Sequence, residues 1–154
     1  MQAKQSPLIE ALRLQPHVEG GWFRETWRTA LNIPQAALGP GYEGDRSAAT
    51  AVYFLLQPGE VSNWHVVASD ELWIWQSGSP LKLTLGGSGA RPDAPGDCQE
   101  ITLGMDVPVG QQPQALVPAA VWQTATPLGD EPVLCTCIVA PGFDFRDFRL
   151  QAAE

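Results

Sequence analysis

Between Gly21 and Ala140 the apolar residues recur at every second position or in short β-branched runs, and a 3.6-residue period is never held. The runs are "GWFRETWRT", "SAATAVYFLL", "ELWIWQ", "LKLTL", "CQEITL", "QALV", "VWQTAT" and "VLCTCIVA". Between them lie "QPGE", "GSP", "GGSGARPDAPGD", "DVPVGQQP", "VPAA" and "TPLGDEP", which hold many of the 15 glycines and 14 prolines. Glycine reaches positive φ without strain and proline removes a ladder donor, so such separators end strands and turn the chain. Many short strands of period two, evenly punctuated, predict an all-β sandwich or barrel. The 86–97 separator reads as a solvated hairpin tip.

Only the first segment carries a helical pattern. Ser6 suits an N-cap, Pro7 the first turn, and Leu8, Ile9, Leu12 and Leu14 an apolar side, predicting a helix over residues 6–15. The 154 residues are long enough for one core, and no repeat or linker divides them, so residues 1–154 are expected to form a single domain with its strands over about 20–150.

Hydrophobic content of 44% with 17% charged residues is that of a globular chain. The net charge of −8, with nine scattered basic residues, argues against nucleic-acid partners and anionic membrane surfaces. No apolar run reaches the ~20 residues of a membrane-spanning helix, and "MQAKQSPLIEALRL" lacks the apolar core of a secretion signal. The three cysteines, Cys98, Cys135 and Cys137, show neither a disulfide framework nor a zinc spacing, so free thiols, buried at Cys135 and Cys137, and a cytoplasmic location are expected.

Chemistry concentrates in "GEVSNWHVVASDELWIWQSG", residues 59–78, which holds one of the two histidines and three tryptophans. Gly59, His65, Val67, Glu71 and Gly78 stand at the spacings of G-x5-H-x-H-x3,4-E-x6-G, with Val67 replacing the second histidine. This resembles the first motif of the cupin superfamily. Downstream, "GQQPQALVPAAVWQ" is similar to the second cupin motif, with Gly110 and Pro118 in place, Ala120 where glycine is usual and Gln123 where histidine is usual. Together with "LQPHVEGGWFRETWR" and "CIVAPGFDFRDFRL", these segments are similar to the cupin-5 branch over about Leu8 to Leu150. The resemblance implies a jelly-roll barrel of two antiparallel sheets after a short N-terminal helix, generally a homodimer, in a branch largely without assigned activity.

A cupin metal centre normally takes three histidines and a glutamate. The corresponding set here is His65, Val67, Glu71 and Gln123, in which valine has no lone pair and glutamine is a weak neutral donor. The expectation is therefore no metal cofactor, with a weakly bound divalent ion at His65, Glu71 and Gln123 as the alternative. Without metal, His65 can carry a proton near neutrality, Glu71 can orient its ring from an adjacent strand, and Gln123 can bind a substrate oxygen. These three are the candidate catalytic residues.

If Glu71 points into the barrel, strand alternation turns Trp73 and Trp75 inward with it, while Leu72, Ile74 and Gln76 face out. Trp73, Trp75, Tyr53 and Trp64 are the candidate ligand-binding aromatics, and His17, Arg24 and Glu25 in "PHVEGGWFRE" the candidate polar contacts. Glu19 belongs to the same family-like polar set. "APGFDFRDFRL" reads as aromatic plugs closing one end of the barrel. The expected function is metal-independent isomerase, epimerase or lyase chemistry on a small polar, sugar-like metabolite. The alternatives are a non-catalytic binding or sensing module and a degenerate metal-dependent enzyme.

Overall fold

The computed structural model describes residues 4–152. In chain order its elements are α1 (Pro7–Ala11), β1 (Gln15–Pro16), β2 (Trp22–Arg28), β3 (Asn32–Ile33), α2 (Gln35–Leu38), β4 (Arg46–Ser47), β5 (Thr50–Leu56) and β6 (Ser62–Val67). There follow β7 (Asp70–Ser77), β8 (Leu81–Leu85), β9 (Gln99–Leu103), β10 (Gln114–Val117), β11 (Gln123–Pro127), β12 (Val133–Ala140) and β13 (Phe148–Leu150). One antiparallel sheet runs β1-β2-β5-β12-β7-β10, a second runs β13-β6-β11-β8-β9, and β3 and β4 form a small separate ribbon. From β5 to β13 successive strands alternate between the two large sheets except at the β8–β9 hairpin, the arrangement of a jelly roll.

Period two puts one side of each strand between the sheets. Phe54, Leu56, Trp73, Leu83, Leu103 and Cys135 meet there in one buried cluster. Cys137 lies on the same face as Cys135, both thiols are free, and burial pushes that of Cys135 up to about 12 and raises Cys137 as well. Among the described residues, no helix is long and apolar enough to cross a membrane.

The N-terminal helix is shorter than residues 6–15. Arg13 takes a left-handed φ of 55°, and the Leu14 N–H donates to the Ile9 carbonyl at 2.8 Å while the Arg13 N–H donates to Glu10 at 3.1 Å. This crossed pair of bonds closes the helix after Ala11, and the Ile9–Leu14 contact packs under it. Pro16 then lies in β1, where a missing donor at a sheet edge costs nothing.

The 86–97 connection joins two antiparallel partners, β8 and β9, and its residues 88–91 and 93–97 are exposed, as expected of a hairpin tip, while its base is tied to the sheet. The Trp122 indole donates to Gly89 O at 3.0 Å, and Gly86 lies so near the Trp64 ring that a Cβ there would come within 2.8 Å of it.

Candidate active site

His65 projects inward from β6, and Gln123, at the start of β11, is its partner in register. Glu71, at the start of β7, belongs to the opposite sheet, paired with Val139 and Val117. It therefore confronts His65 across the barrel interior, and the expected orientation from an adjacent strand does not hold. The carboxyl within ion-pair distance of His65 comes from elsewhere: Glu19 Oε2 lies 3.3 Å from His65 Nε2 and 3.5 Å from His17 Nδ1.

Glu19 reaches that position because of the two glycines that follow it. Gly20 and Gly21 adopt φ of 105° and 73°, and a Cβ at Gly20 would collide with the Val61 carbonyl oxygen. The tight turn lays the 17–21 segment against β6. There the Glu19 carbonyl accepts from the Asn63 backbone at 2.7 Å and from its side-chain amide at 2.8 Å. Ser62 donates to Glu19 Oε1 at 3.2 Å. Sequence reasoning placed Glu19 in a polar set but gave it no role; the glycine pair was the available signal.

Hydrogen bonds set the proton positions. The Asn63 carbonyl can only accept, so His65 Nδ1 carries hydrogen at 2.8 Å from it, and Nε2 is left with a lone pair facing Glu19. His17 Nδ1 accepts the Glu19 N–H at 3.1 Å. Burial holds both imidazoles neutral, driving the His17 pKa down to about 4 and lowering that of His65 despite the opposing pull of Glu71. Burial also raises Glu19 to about 8 and Glu71 to about 7. Near neutrality, then, Glu19 favours its protonated form and Glu71 is shared between its two forms, beside a neutral imidazole.

Trp73 completes the floor, and Gln123, a candidate catalytic residue, lies buried against it without lining the cavity. The Trp73 indole can only donate, so the 2.8 Å contact with Gln123 fixes the amide oxygen toward the ring and leaves Nε2 buried without a hydrogen-bond partner. This arrangement does not fit the cupin ligand set: Val67 offers no lone pair, and the Gln123 oxygen is a weak neutral donor that already accepts from Trp73.

Above the floor opens a cavity of about 340 Å³ lined by Glu19, His65, Glu71 and Trp73 and by Phe23, Phe54, Phe143, Phe145 and Phe148. The Phe143–Phe148 segment thus furnishes cavity wall as well as plug. It is anchored by the buried Arg46 guanidinium, which donates to both Asp147 oxygens at 2.8 Å. Of the remaining candidates, Glu25 and His17 line the cavity. Trp75 shares the inward face but lies farther along the strand, partly buried against the core, with its indole on Ser79 O at 3.0 Å. Arg24 and Tyr53 are register partners stacked on each other, 5.6 Å from guanidinium to ring, and neither lines the cavity. Trp64 lines a separate outer groove with Lys82 and Glu100.

The second motif keeps its backbone where its side chain departs. Ala120 adopts φ of 62°, the left-handed conformation that explains why glycine is usual there, and its N–H donates to Val67 O at 2.9 Å.

Comparison with known proteins agrees with this architecture. Residues 6–151 match the family model described as Cupin superfamily (DUF985). The chain is 29% identical to the uncharacterized protein YML079W of Saccharomyces cerevisiae, over 96% of this chain and 75% of the yeast protein. Among solved structures, protein SO0799 of Shewanella oneidensis superposes with a TM-score of 0.80 at 31% identity, covering 97% of this chain and 86% of that one. A hypothetical protein from Leishmania major gives 0.80 at 30%, covering 94% and 85%. Oxalate decarboxylase of Lactobacillus farciminis shares the fold alone, at 14% identity and a TM-score of 0.56 over 91% of this chain and 34% of its own. By its motifs, its topology and a family match across almost its whole length, the chain belongs to the cupin superfamily, in the DUF985 family.

Proposed function

We infer that the cavity is a metal-independent acid–base site that isomerises or epimerises a small hydroxy-carbonyl compound. The observation that carries this reading is the His65 Nε2 lone pair, 3.3 Å from the Glu19 carboxyl, with the Glu71 carboxyl opposite it on the cavity wall. A neutral imidazole can take a proton from carbon, and a carboxyl that keeps its proton near neutrality can give it to oxygen.

In this reading the substrate C–H bond adjacent to its carbonyl breaks, and the proton passes to His65 Nε2. The electron pair moves into the carbonyl, whose oxygen takes the proton of Glu71. The resulting enediol has the composition of the substrate. Return of the His65 proton to the neighbouring carbon gives an isomer, the other enediol hydroxyl giving its proton to Glu71; if the enediol turns over, return to the opposite face of the same carbon gives an epimer, and Glu71 takes back the proton it gave. Glu19 exchanges a proton with His65 and holds the ring in place together with the Asn63 carbonyl. Gln123 is buried, is not among the cavity's described lining residues, and acts through the Trp73 indole that it holds. The orientation of Gln123 and the presence of Val67 support a mechanism without metal.

The aromatic walls favour a second reading, a binding module that holds a ligand without turnover. One experiment separates the two. Protein prepared without metal-chelating resin and kept in EDTA is incubated in D₂O with free aldoses and ketoses, and loss of the C–H signal adjacent to the carbonyl is followed by ¹H NMR. Exchange that disappears in His65→Asn is expected. A ligand that raises the melting temperature while exchanging no hydrogen would sink the acid–base reading and leave the binding module.

A further inference from the structure

The cavity wall carries carboxyl groups at both ends and a single guanidinium. Glu19 and Glu71 form part of the floor, Glu25 and Asp144 stand on the wall with them, and Arg28 is the only lysine or arginine among the described lining residues. Arg28 is already engaged: its Nε donates to Glu25 Oε1 at 2.8 Å, and its Nη2 donates to Glu25 Oε2 at 2.9 Å and to the Phe143 carbonyl at 2.9 Å. The planar fork of a guanidinium is well suited to a carboxylate or phosphate, and here the protein's own carboxylate fills it. Asp144 is bound from outside by Arg146 at 2.9 Å, so it lends no cation to the interior.

Burial reinforces this balance of charge. His17 and His65 are neutral in their apolar setting, so neither offers an anion a counter-charge, and the floor carboxyls, whose ionised forms burial disfavours, supply none either. An anion moving to the buried floor would lose its hydration with no cation beside it, because Arg28 pairs with Glu25 at the rim, where their side chains are 44% and 36% exposed. The volume sets a second limit. About 340 Å³ lies at the small end of the range for ligand cavities, suited to a single ring or a chain of comparable size. Aromatic rings on the wall match the C–H faces of such a molecule.

We propose that the cavity selects an uncharged substrate of single-ring size, and that Glu25 is a specificity-determining residue which rejects anions by occupying Arg28. Phosphorylated sugars, sugar nucleotides and dicarboxylates are excluded by this arrangement. Free hydroxy-carbonyl compounds fit it. This inference rests on the acid–base reading only for the choice among neutral molecules; the charge selection is a property of the cavity itself.

The test uses two probes of nearly equal shape, benzyl alcohol and benzoate, titrated at pH 7 into the ¹⁵N-labelled full chain. Binding is read from the shift of the Trp73 indole N–H. Benzyl alcohol is expected to bind at least about tenfold more tightly than benzoate, a difference of about 1.4 kcal/mol. Glu25→Gln leaves Arg28 with an unneutralised charge, so benzoate affinity should rise about fivefold or more while benzyl alcohol changes little. Adding Arg28→Met to that variant should abolish the gain. Equal binding of the two probes by the wild-type chain, an unchanged ratio in Glu25→Gln, or failure of both probes to bind would each overturn the proposal. These outcomes are independent of turnover. If hydrogen exchange fails but charge selection holds, the acid–base reading falls and the selectivity stands. Exchange confined to phosphorylated or carboxylate substrates would have the opposite meaning.

Discussion

Glu19 Oε2 stands between two imidazole nitrogens, 3.3 Å from His65 Nε2 and 3.5 Å from His17 Nδ1. The two rings differ in their other hydrogen bonds. His65 donates from Nδ1 to Asn63 O and keeps Nε2 for the cavity, whereas His17 Nδ1 accepts the Glu19 backbone N–H. One carboxyl therefore serves a proton-carrying ring on one side and closes its own turn on the other. The Glu19 side chain joins a loop to the chemistry of a strand in the facing sheet.

Glu19→Gln tests that role. The amide keeps the size of the side chain and can donate a hydrogen bond to Nε2, but it cannot exchange a proton with it. Hydrogen exchange into substrate is expected to fall about 100-fold, the low end of the range for a lost acid–base group. In the same variant the ¹⁵N shifts of His65 should still report hydrogen on Nδ1, because the Asn63 carbonyl is untouched. A fall in exchange accompanied by loss of the Nδ1–H form would show that Glu19 only supports the ring.

Stability should decline as pH rises through neutrality. Glu19 at about 8 and Glu71 at about 7 hold protons in the folded state that the unfolded chain, with carboxyls near 4.5, releases. Between those limits the folded state binds more protons, so unfolding free energy falls with rising pH. The histidines act oppositely: their lowered folded values, about 4 for His17, mean that the unfolded chain binds more protons below 6.5. From pH 4.5 to 6.5 the two effects oppose one another, and above 6.5 only the carboxyl effect persists. Urea denaturation at pH 6.5 and pH 8 should show the loss, at up to about 1.4 kcal/mol per pH unit for each carboxyl still protonated. Glu71→Gln should flatten the slope above pH 6.5, and an unchanged slope would place its proton elsewhere.

Trp73→Phe isolates the indole hydrogen bond. Trp73 and Gln123 are each 1% exposed, and the only bond of the pair runs from the indole to the amide oxygen. Phenylalanine leaves that oxygen buried beside an Nε2 already unpartnered, so the unfolding free energy should drop by about 1–3 kcal/mol in addition to the smaller packing loss. Combining it with Gln123→Met removes the stranded polar group. The double variant should be less destabilised than the sum of the two single changes, as measured by a denaturation cycle.

Strand parity carries much of the site, and its limits are specific. Glu71, Trp73 and Trp75 do share a face, but Trp75 is about 13 Å along the strand from Glu71 and falls beyond the cavity. Trp64 adjoins His65 in one strand and so takes the opposite face; Arg24 does the same between Phe23 and Glu25. Period two was sufficient for those assignments. It was silent on Glu19, because local patterning does not say which sheet a loop crosses, and the turn at Gly20 and Gly21 is settled by contact with Val61, some 40 residues on. The cupin spacing located His65 and Glu71 but not the fact that they face each other from different sheets.

Ala120 offers a test in which sequence motif and backbone disagree. Its φ of 62° places a Cβ in the left-handed region, which costs about 1–2 kcal/mol for a residue other than glycine. Ala120→Gly removes that strain but enlarges the unfolded ensemble, a loss of about 0.4–1 kcal/mol. The side chain is exposed, so little packing is given up. The N–H bond to Val67 O, 2.9 Å long, holds the turn against the strand that carries His65 and is retained by glycine. The net expectation is a gain of about 0.5–1 kcal/mol in unfolding free energy, from the difference of those two effects. Ala120→Val, with a branched side chain in the same conformation, should lose stability. A loss in the glycine variant would mean that the 118–121 turn relaxes to an ordinary conformation in solution, and with it the placement of Gln123 opposite His65.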